Sequence, residues 1–178
     1  MRPRSCNLFL FFLILLFTTK SVAQTCSGSL GDPVINQTFG SGSNPGPGLP
    51  GGITNMSYTS NNCPNDGYYT ISNSLLNNCY GTWHNVTSDH TGNPSGYMMI
   101  VNASYQPSIF FTQTANGLCP NTTYEFSAYI LNLITLAASG PDVIKPNITF
   151  SIETSSGQVL KTYNSGDIPF TAQPTWKK

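Results

Sequence analysis

The sequence predicts an all-β fold of the two-sheet β-sandwich or jelly-roll type. Short runs of β-branched and aromatic residues alternate apolar with polar positions, which is the period of a half-buried strand. Glycine, proline, asparagine and aspartate cluster between these runs, as turns require, and signals for helix are almost absent. Many short strands separated by turns are typical of two packed sheets.

The clearest strand is predicted for residues 147–153. Its apolar side chains Ile148, Phe150 and Ile152 share one face, and polar side chains share the other. A Ser-Gly pair then predicts a turn into residues 158–163, so the two runs together predict a β-hairpin.

Residues 123–132 alternate in the same way and become apolar on both faces towards their end, which indicates a central strand. The glycine- and proline-rich stretch 40–52 has a linker-like composition. It follows too few residues to separate two domains, and we expect a long surface loop. Further strands are predicted at residues 34–39, 68–72, 81–86, 97–103, 108–114 and 168–170.

The N-terminal residues 1–23 are predicted to be a secretory signal peptide. Two arginines precede an apolar run at residues 8–17, and small residues up to Ala23 fit a cleavage site. The run is shorter than the roughly 20 residues that a membrane-spanning helix needs. Residues 24–178 are then one sandwich domain. Because the strand pattern is still running at Lys178, the domain is expected to be incomplete at its C-terminal end.

Charge is scarce in this chain. Charged residues make up 8% of it, against about 25% in typical soluble proteins. Residues 24–178 contain four lysines and seven acidic residues, a net charge of about −3. Without a basic patch, nucleic acids and anionic membranes are poor partners. A surface rich in asparagine, serine and threonine suits neutral glycans, or display on a cell surface beside another protein.

The even number of cysteines that follow the leader indicates disulfides and an oxidising compartment. Cys26, Cys63, Cys79 and Cys119 allow three pairings. The Cys63–Cys79 pairing is favoured because these two residues bracket one compact segment, which leaves Cys26 with Cys119. Their spacing fits no zinc site, and no metal is expected to bind them.

Aromatic residues give the best candidate binding site. Tyr80, Trp83 and His84 follow Cys79 closely. An aromatic ring can stack on the C–H face of a sugar while polar neighbours bind its hydroxyls. The alternative is that Trp83 packs beside the disulfide in the core.

Catalytic and metal signals are weak. His84, Asp89 and His90 could form an acid–base set, but they lie in a segment typical of a solvated loop, and no nucleophile elbow occurs. The chain is therefore predicted to be no enzyme and to need no cofactor. A structural calcium ion could use Asp32, Asp66 or Asp89, but ordinary turn aspartates are the simpler interpretation.

Three stretches of the sequence resemble a known class of domain. They are G-Y-M-M-I-V-N-A at 96–103 with F-x-Q at 111–113, G-L-C-P-N-T-T-Y-E-F-S-A-Y-I-L-N at 117–132, and S-G-D-I-P at 165–169 ahead of Trp176. This order is similar to galactose-binding-like, carbohydrate-binding-module-type jelly rolls, especially the N-terminal domains of large secreted surface proteins and adhesins of Bacteroidetes.

The resemblance implies a non-enzymatic jelly roll that belongs to a longer surface protein. Members of this class continue past the tryptophan with further strands, which are absent from this sequence. The ligand-side residues lie there, so none can be assigned here. The expected function is a structural, adhesive or glycan-binding extracellular module. The alternative is a carbohydrate-binding module that targets an associated glycoside hydrolase to a neutral polysaccharide.

Overall fold

The computed structural model describes residues 33–119 and 122–178. The predicted leader, residues 1–23, lies outside the described residues. Residues 33–116 and 123–178 form one compact unit, which contains all five strands described below. The remaining described residues belong to a second unit.

Regular structure in the described ranges is almost all β, as the sequence predicts. Helix is limited there to two three-residue 3-10 turns, Cys79–Gly81 and Leu136–Ala138. Neither has the length or apolarity needed to cross a membrane. The strands are β1 (Ser57–Tyr58), β2 (Tyr68–Ser72), β3 (Met98–Asn102), β4 (Asn147–Glu153) and β5 (Val159–Asp167).

Strands β1, β2 and β3 form a sheet in that order, with β1 parallel to β2 and β2 antiparallel to β3. Because side chains alternate across a strand, the β2–β3 pair contributes to a different core cluster on each face. Tyr69 and Ile71 enter one cluster, whereas Met98 and Ile100 enter the other. The sheet is therefore covered on both sides.

The larger cluster contains the segment that follows β2. It consists of Leu75, Cys79, Trp83, Val86, Met98 and Ile100, all buried. Leu75 and Val86 exchange backbone hydrogen bonds of 2.7 and 2.8 Å across the intervening loop. The apolar residues of this loop therefore close over one face of the sheet.

The glycine-rich stretch 40–52 packs against the other face. The amide of Gly46 donates to the carbonyl of Ile71 at 2.8 Å, and the Tyr97 hydroxyl donates to the carbonyl of Ser43 at 2.6 Å. A Cβ atom at Gly46 would lie 2.7 Å from Ile71 Cγ2. Glycine is therefore required for this close approach, and the loop is a packed cover whose composition only resembles that of a linker.

The predicted hairpin is confirmed, and its second strand is longer than predicted. β4 and β5 form a two-stranded antiparallel sheet in which Phe150 pairs with Tyr163 and Ile152 with Lys161. The turn between the strands places Gly157 at a φ of 83°, a left-handed conformation that favours glycine.

Several predicted strands are not regular strands in the structure. The runs at 68–72 and 97–103 correspond to β2 and β3, but the others make at most single bridge pairs, such as Trp83 with Ile134 and Ile130 with Lys177. Alternation predicts which side chains share a face, whereas pairing depends on neighbours far away in the sequence. The runs that did not form strands are 34–39, 81–86, 108–114, 123–132 and 168–170.

Candidate functional site

The segment predicted to carry the site is held by a disulfide. Cys63 and Cys79 are bonded, with their Cα atoms 5.6 Å apart, which confirms that pairing. Cys79 is 2% exposed and belongs to the larger core cluster. Cys119 is also disulfide-bonded, and its expected partner, Cys26, lies outside the described residues. A disulfide fits an oxidising, extracellular environment.

The chain turns sharply after this disulfide and brings Tyr80 to the surface. Asn78 and Tyr80 have left-handed φ values of 48° and 58°, and a 3-10 turn spans Cys79–Gly81. Tyr80 is 53% exposed, and its hydroxyl donates to the carbonyl of Pro64 at 2.7 Å. The phenol therefore ties the turn back to the chain beside Cys63.

Trp83 and His84 point inward. Trp83 is 7% exposed, packs in the cluster that contains Cys79, and receives the edge of the Tyr80 ring at 5.3 Å. His84 is 5% exposed, and its Nε2 lies 3.3 Å from Thr171 Oγ1. Of the three predicted binding residues, only Tyr80 offers a ring face to solvent. Trp83 instead packs beside the disulfide in the core, which is the alternative that the sequence left open.

The second histidine lies in an aromatic cluster at the surface. The exposed ring of His90 stacks on that of Tyr129, with centroids 4.1 Å apart, and meets the edge of Trp176 at 6.2 Å. Tyr129 is 49% exposed. His90 and Tyr129 thus present adjacent rings to solvent, next to the polar loop that follows Asp89. We call His90, Tyr129 and Trp176 the aromatic cluster.

Asp89 shapes that polar loop. Its Oδ1 accepts hydrogen bonds from the Thr91 amide and hydroxyl at 2.9 and 2.6 Å, and from the Asn93 amide at 3.0 Å. Desolvation raises the pKa of Asp89, but the hydrogen bonds from Thr91 and Asn93 together outweigh it and lower the pKa below its ordinary value. Its ionised carboxylate therefore stabilises the turn.

The candidate acid–base residues each have other partners. His84 faces Thr171, Asp89 binds its own loop, and His90 stacks on Tyr129. For calcium, Asp32 lies outside the described residues. Asp66 and Asp89 are among the described residues. In that part of the chain, no three His, Cys, Asp or Glu side chains lie close enough together to hold a metal ion.

A concave feature lies beside the hairpin, and we call it the hairpin groove. It is lined by side chains of β4 and β5, among them Phe150 and Tyr163, and by residues 125–128 and 130. The ring of Phe126 contacts that of Phe150 with centroids 5.3 Å apart. The groove has a volume of about 540 Å³, within the usual range for ligand sites.

The groove is lined by aromatic rings and by charged side chains. Phe126 is 62% exposed and Tyr163 is 67% exposed. Three of the four lysines in the described chain, Lys161, Lys177 and Lys178, line it. Lys178 Nζ lies 2.8 Å from Glu125 Oε1, and this hydrogen bond with its charge attraction lowers the pKa of Glu125.

Nothing in the sequence pattern indicated the groove. Phe126 and Phe150 lie on the apolar faces of alternating runs, which is the pattern of buried strand positions. In the structure the rings of Phe126 and Phe150 do meet. The pattern does not show that the space between them stays open. The closeness of Lys177 and Lys178 to β5 carries no sequence signal.

Comparison with known proteins found no family, no curated protein and no solved structure that matches this chain.

Proposed function

We propose that this chain is a non-catalytic extracellular module of a cell-surface protein, with a structural or adhesive role and a jelly-roll type of sandwich fold. The observation that carries the proposal is the Cys63–Cys79 disulfide, one end of which is buried in the core beside Trp83. A protein whose core includes a disulfide depends on an oxidising compartment, and the predicted leader would deliver it there.

The apolar faces of the two sheets support the sandwich architecture. The β1–β2–β3 sheet has apolar clusters on both faces, and β4–β5 supplies a second sheet with one apolar face.

Surface labelling tests the proposal in the cells that make the protein. The full chain with an epitope tag should react with a membrane-impermeant biotin reagent. Its cysteines 63 and 79 should be recovered as one disulfide-linked peptide pair after non-reducing digestion. Exclusion from the reagent together with free thiols at both positions would refute an extracellular module.

A glycan-binding module, as in a carbohydrate-binding module that targets a glycoside hydrolase to a neutral polysaccharide, is the second candidate. The aromatic cluster favours it, because His90 and Tyr129 present solvent-exposed rings beside the polar loop of Asp89. Such a combination of rings and hydrogen-bonding groups is what sugar recognition uses.

A glycan array probed with the secreted protein tests this second candidate. Tyr129→Ala should abolish any hit, and Tyr80→Ala, which removes an exposed ring outside the aromatic cluster, is the matched control. Trp83→Ala is unsuitable because it would remove a buried ring at a cost of about 3–5 kcal/mol. An array without hits on neutral polysaccharides would reject it.

A further inference from the structure

Asparagine or aspartate directly precedes glycine at two places in this sequence. One pair is Asn116 with Gly117, and the other is Asp66 with Gly67. Because glycine has no side chain to shield its backbone, its amide nitrogen can approach the side-chain carbonyl carbon of the residue before it. Such a pair can therefore close into a ring by attack of the backbone on the side chain.

The two pairs have similar backbones but differ in what holds the glycine amide. Gly117 has a φ of 76° and Gly67 a φ of 81°, and Asn116 and Asp66 are both exposed. The Gly67 amide donates to the carbonyl of Asn102 at 2.8 Å, where strands β2 and β3 begin to pair. Neither the Gly117 amide nor the Asn116 side chain makes a hydrogen bond within the described chain. The attacking nitrogen is therefore held at position 67 and available at position 117.

We infer that Asn116 is a site of spontaneous deamidation, in which water is the second reactant. The Gly117 amide nitrogen loses its proton to the solvent and attacks Cγ of Asn116, and the side-chain nitrogen leaves as ammonia. The product is an imide ring in which the Gly117 nitrogen is bonded to both carbonyl carbons of residue 116. Water then opens the ring. Cleavage at Cγ gives aspartate, cleavage at the main-chain carbonyl gives isoaspartate, and neither step needs an oxidant or a reductant.

The modification changes the charge and the backbone of a neutral part of the chain. No lysine, arginine, aspartate or glutamate lies between His90 and Glu125 in the sequence, so the new carboxylate is the one acidic group in that stretch. Isoaspartate also lengthens the main chain by one methylene group shortly before the disulfide-bonded Cys119. The inference goes beyond the proposed function, because the chemistry needs only this pair and water.

Incubation of the full secreted chain at neutral pH tests the inference. Samples taken over time are digested with pepsin at acidic pH, where the reaction is slow, and the peptides are analysed by mass spectrometry. A synthetic peptide of residues 112–118 in the same buffer gives the rate for an unfolded chain. We expect Asn116 in the protein to react within about threefold of that rate, because no hydrogen bond has to be broken first.

Asp66→Asn provides the matched control, because it creates a second asparagine–glycine pair whose amide is held. The new asparagine should react at least about tenfold more slowly than a synthetic peptide of residues 63–69 with the same substitution. The Gly67 amide must first leave its hydrogen bond at the end of the sheet. Circular dichroism would verify that the variant folds. If it does not, isomerisation of Asp66 in the unsubstituted chain, which passes through the same ring with loss of water, provides the comparison.

Three results would overturn the inference. The first is an Asn116 that stays intact or reacts more than about tenfold more slowly than its peptide. The second is equal protection at positions 66 and 116, each relative to its own peptide, which would mean that the hydrogen bond of Gly67 has no effect. The third is a product that contains aspartate without isoaspartate, since direct hydrolysis of the side chain gives aspartate alone.

Discussion

Removal of the Cys63–Cys79 disulfide should destabilise the protein strongly. The two residues are 16 positions apart, and closing a loop of that length contributes about 3 kcal/mol by restricting the unfolded chain. Cys79 is also buried in the core, so its change to alanine adds about 1 kcal/mol for the small cavity that remains. The double variant Cys63→Ala/Cys79→Ala should therefore lose about 4 kcal/mol of unfolding free energy.

Equilibrium denaturation in urea measures this loss. Unfolding is followed by tryptophan fluorescence in a Trp176→Phe background, so that the signal comes from Trp83 alone. In a thermal melt, the same change should lower Tm by about 8–16 °C. Tyr80→Phe is the matched control, because it keeps the disulfide and removes only the hydroxyl, which can donate to the carbonyls of Pro64 and Cys63 and to Asn65 Oδ1. It should cost about 1 kcal/mol.

A loss below about 1 kcal/mol in the double variant would refute this reasoning. It would mean that the loop between the two cysteines is already restricted in the unfolded chain, or that the turn beside Trp83 is held by other contacts. A loss in Tyr80→Phe equal to that of the double variant would show that the hydrogen bond, and not the crosslink, secures the turn.

Three further predictions concern loop packing, a buried hydroxyl and pH. Gly46→Ala should destabilise the protein by about 1–3 kcal/mol in urea denaturation, because its Cβ would collide with Ile71, whereas Gly51→Ala, with open space around it, should be neutral. Thr70→Val should keep or raise stability by up to about 2 kcal/mol, since the Thr70 hydroxyl is buried with no hydrogen-bond partner in the described structure; a clear loss would reveal a hidden partner. Asp89 has a pKa below its ordinary value of 3.8, so the protein should be more stable than its Asp89→Asn variant above pH 3.8, and this advantage should decline as the pH falls further. The free energies of unfolding of both proteins are to be measured between pH 2 and pH 7. A difference that stays constant over this range would contradict the prediction.

Local patterns predicted much of the fold. The alternation in residues 147–153 and the turn after it predicted the β4–β5 hairpin, and the run at 68–72 predicted β2 to the residue. These elements need only neighbouring residues and one antiparallel partner. The disulfide between Cys63 and Cys79 was also predictable, because the two cysteines bracket a short segment that the chain can close cheaply.

Other features could not be predicted because they depend on distant parts of the chain. The 3-10 turn at Cys79–Gly81 replaces the start of a predicted strand, and it relies on Tyr80 adopting a left-handed conformation while its hydroxyl reaches Pro64. The inward position of His84 depends on Thr171, which is 87 residues away. No local pattern contains such a contact.

The misassigned strand at 123–132 and the hairpin groove have the same physical origin. Alternation in this run presupposes a covered face, and the structure provides that cover only at its end, where Asn132 is buried and donates to the carbonyl of Ile168 at 2.9 Å. Before that point the ring of Phe126 contacts that of Phe150, and residues 125–129 make no backbone hydrogen bond within the described chain. Exposed aromatic surface and unpaired backbone are both costly to leave open. The groove therefore marks the part of this run that the described chain leaves uncovered.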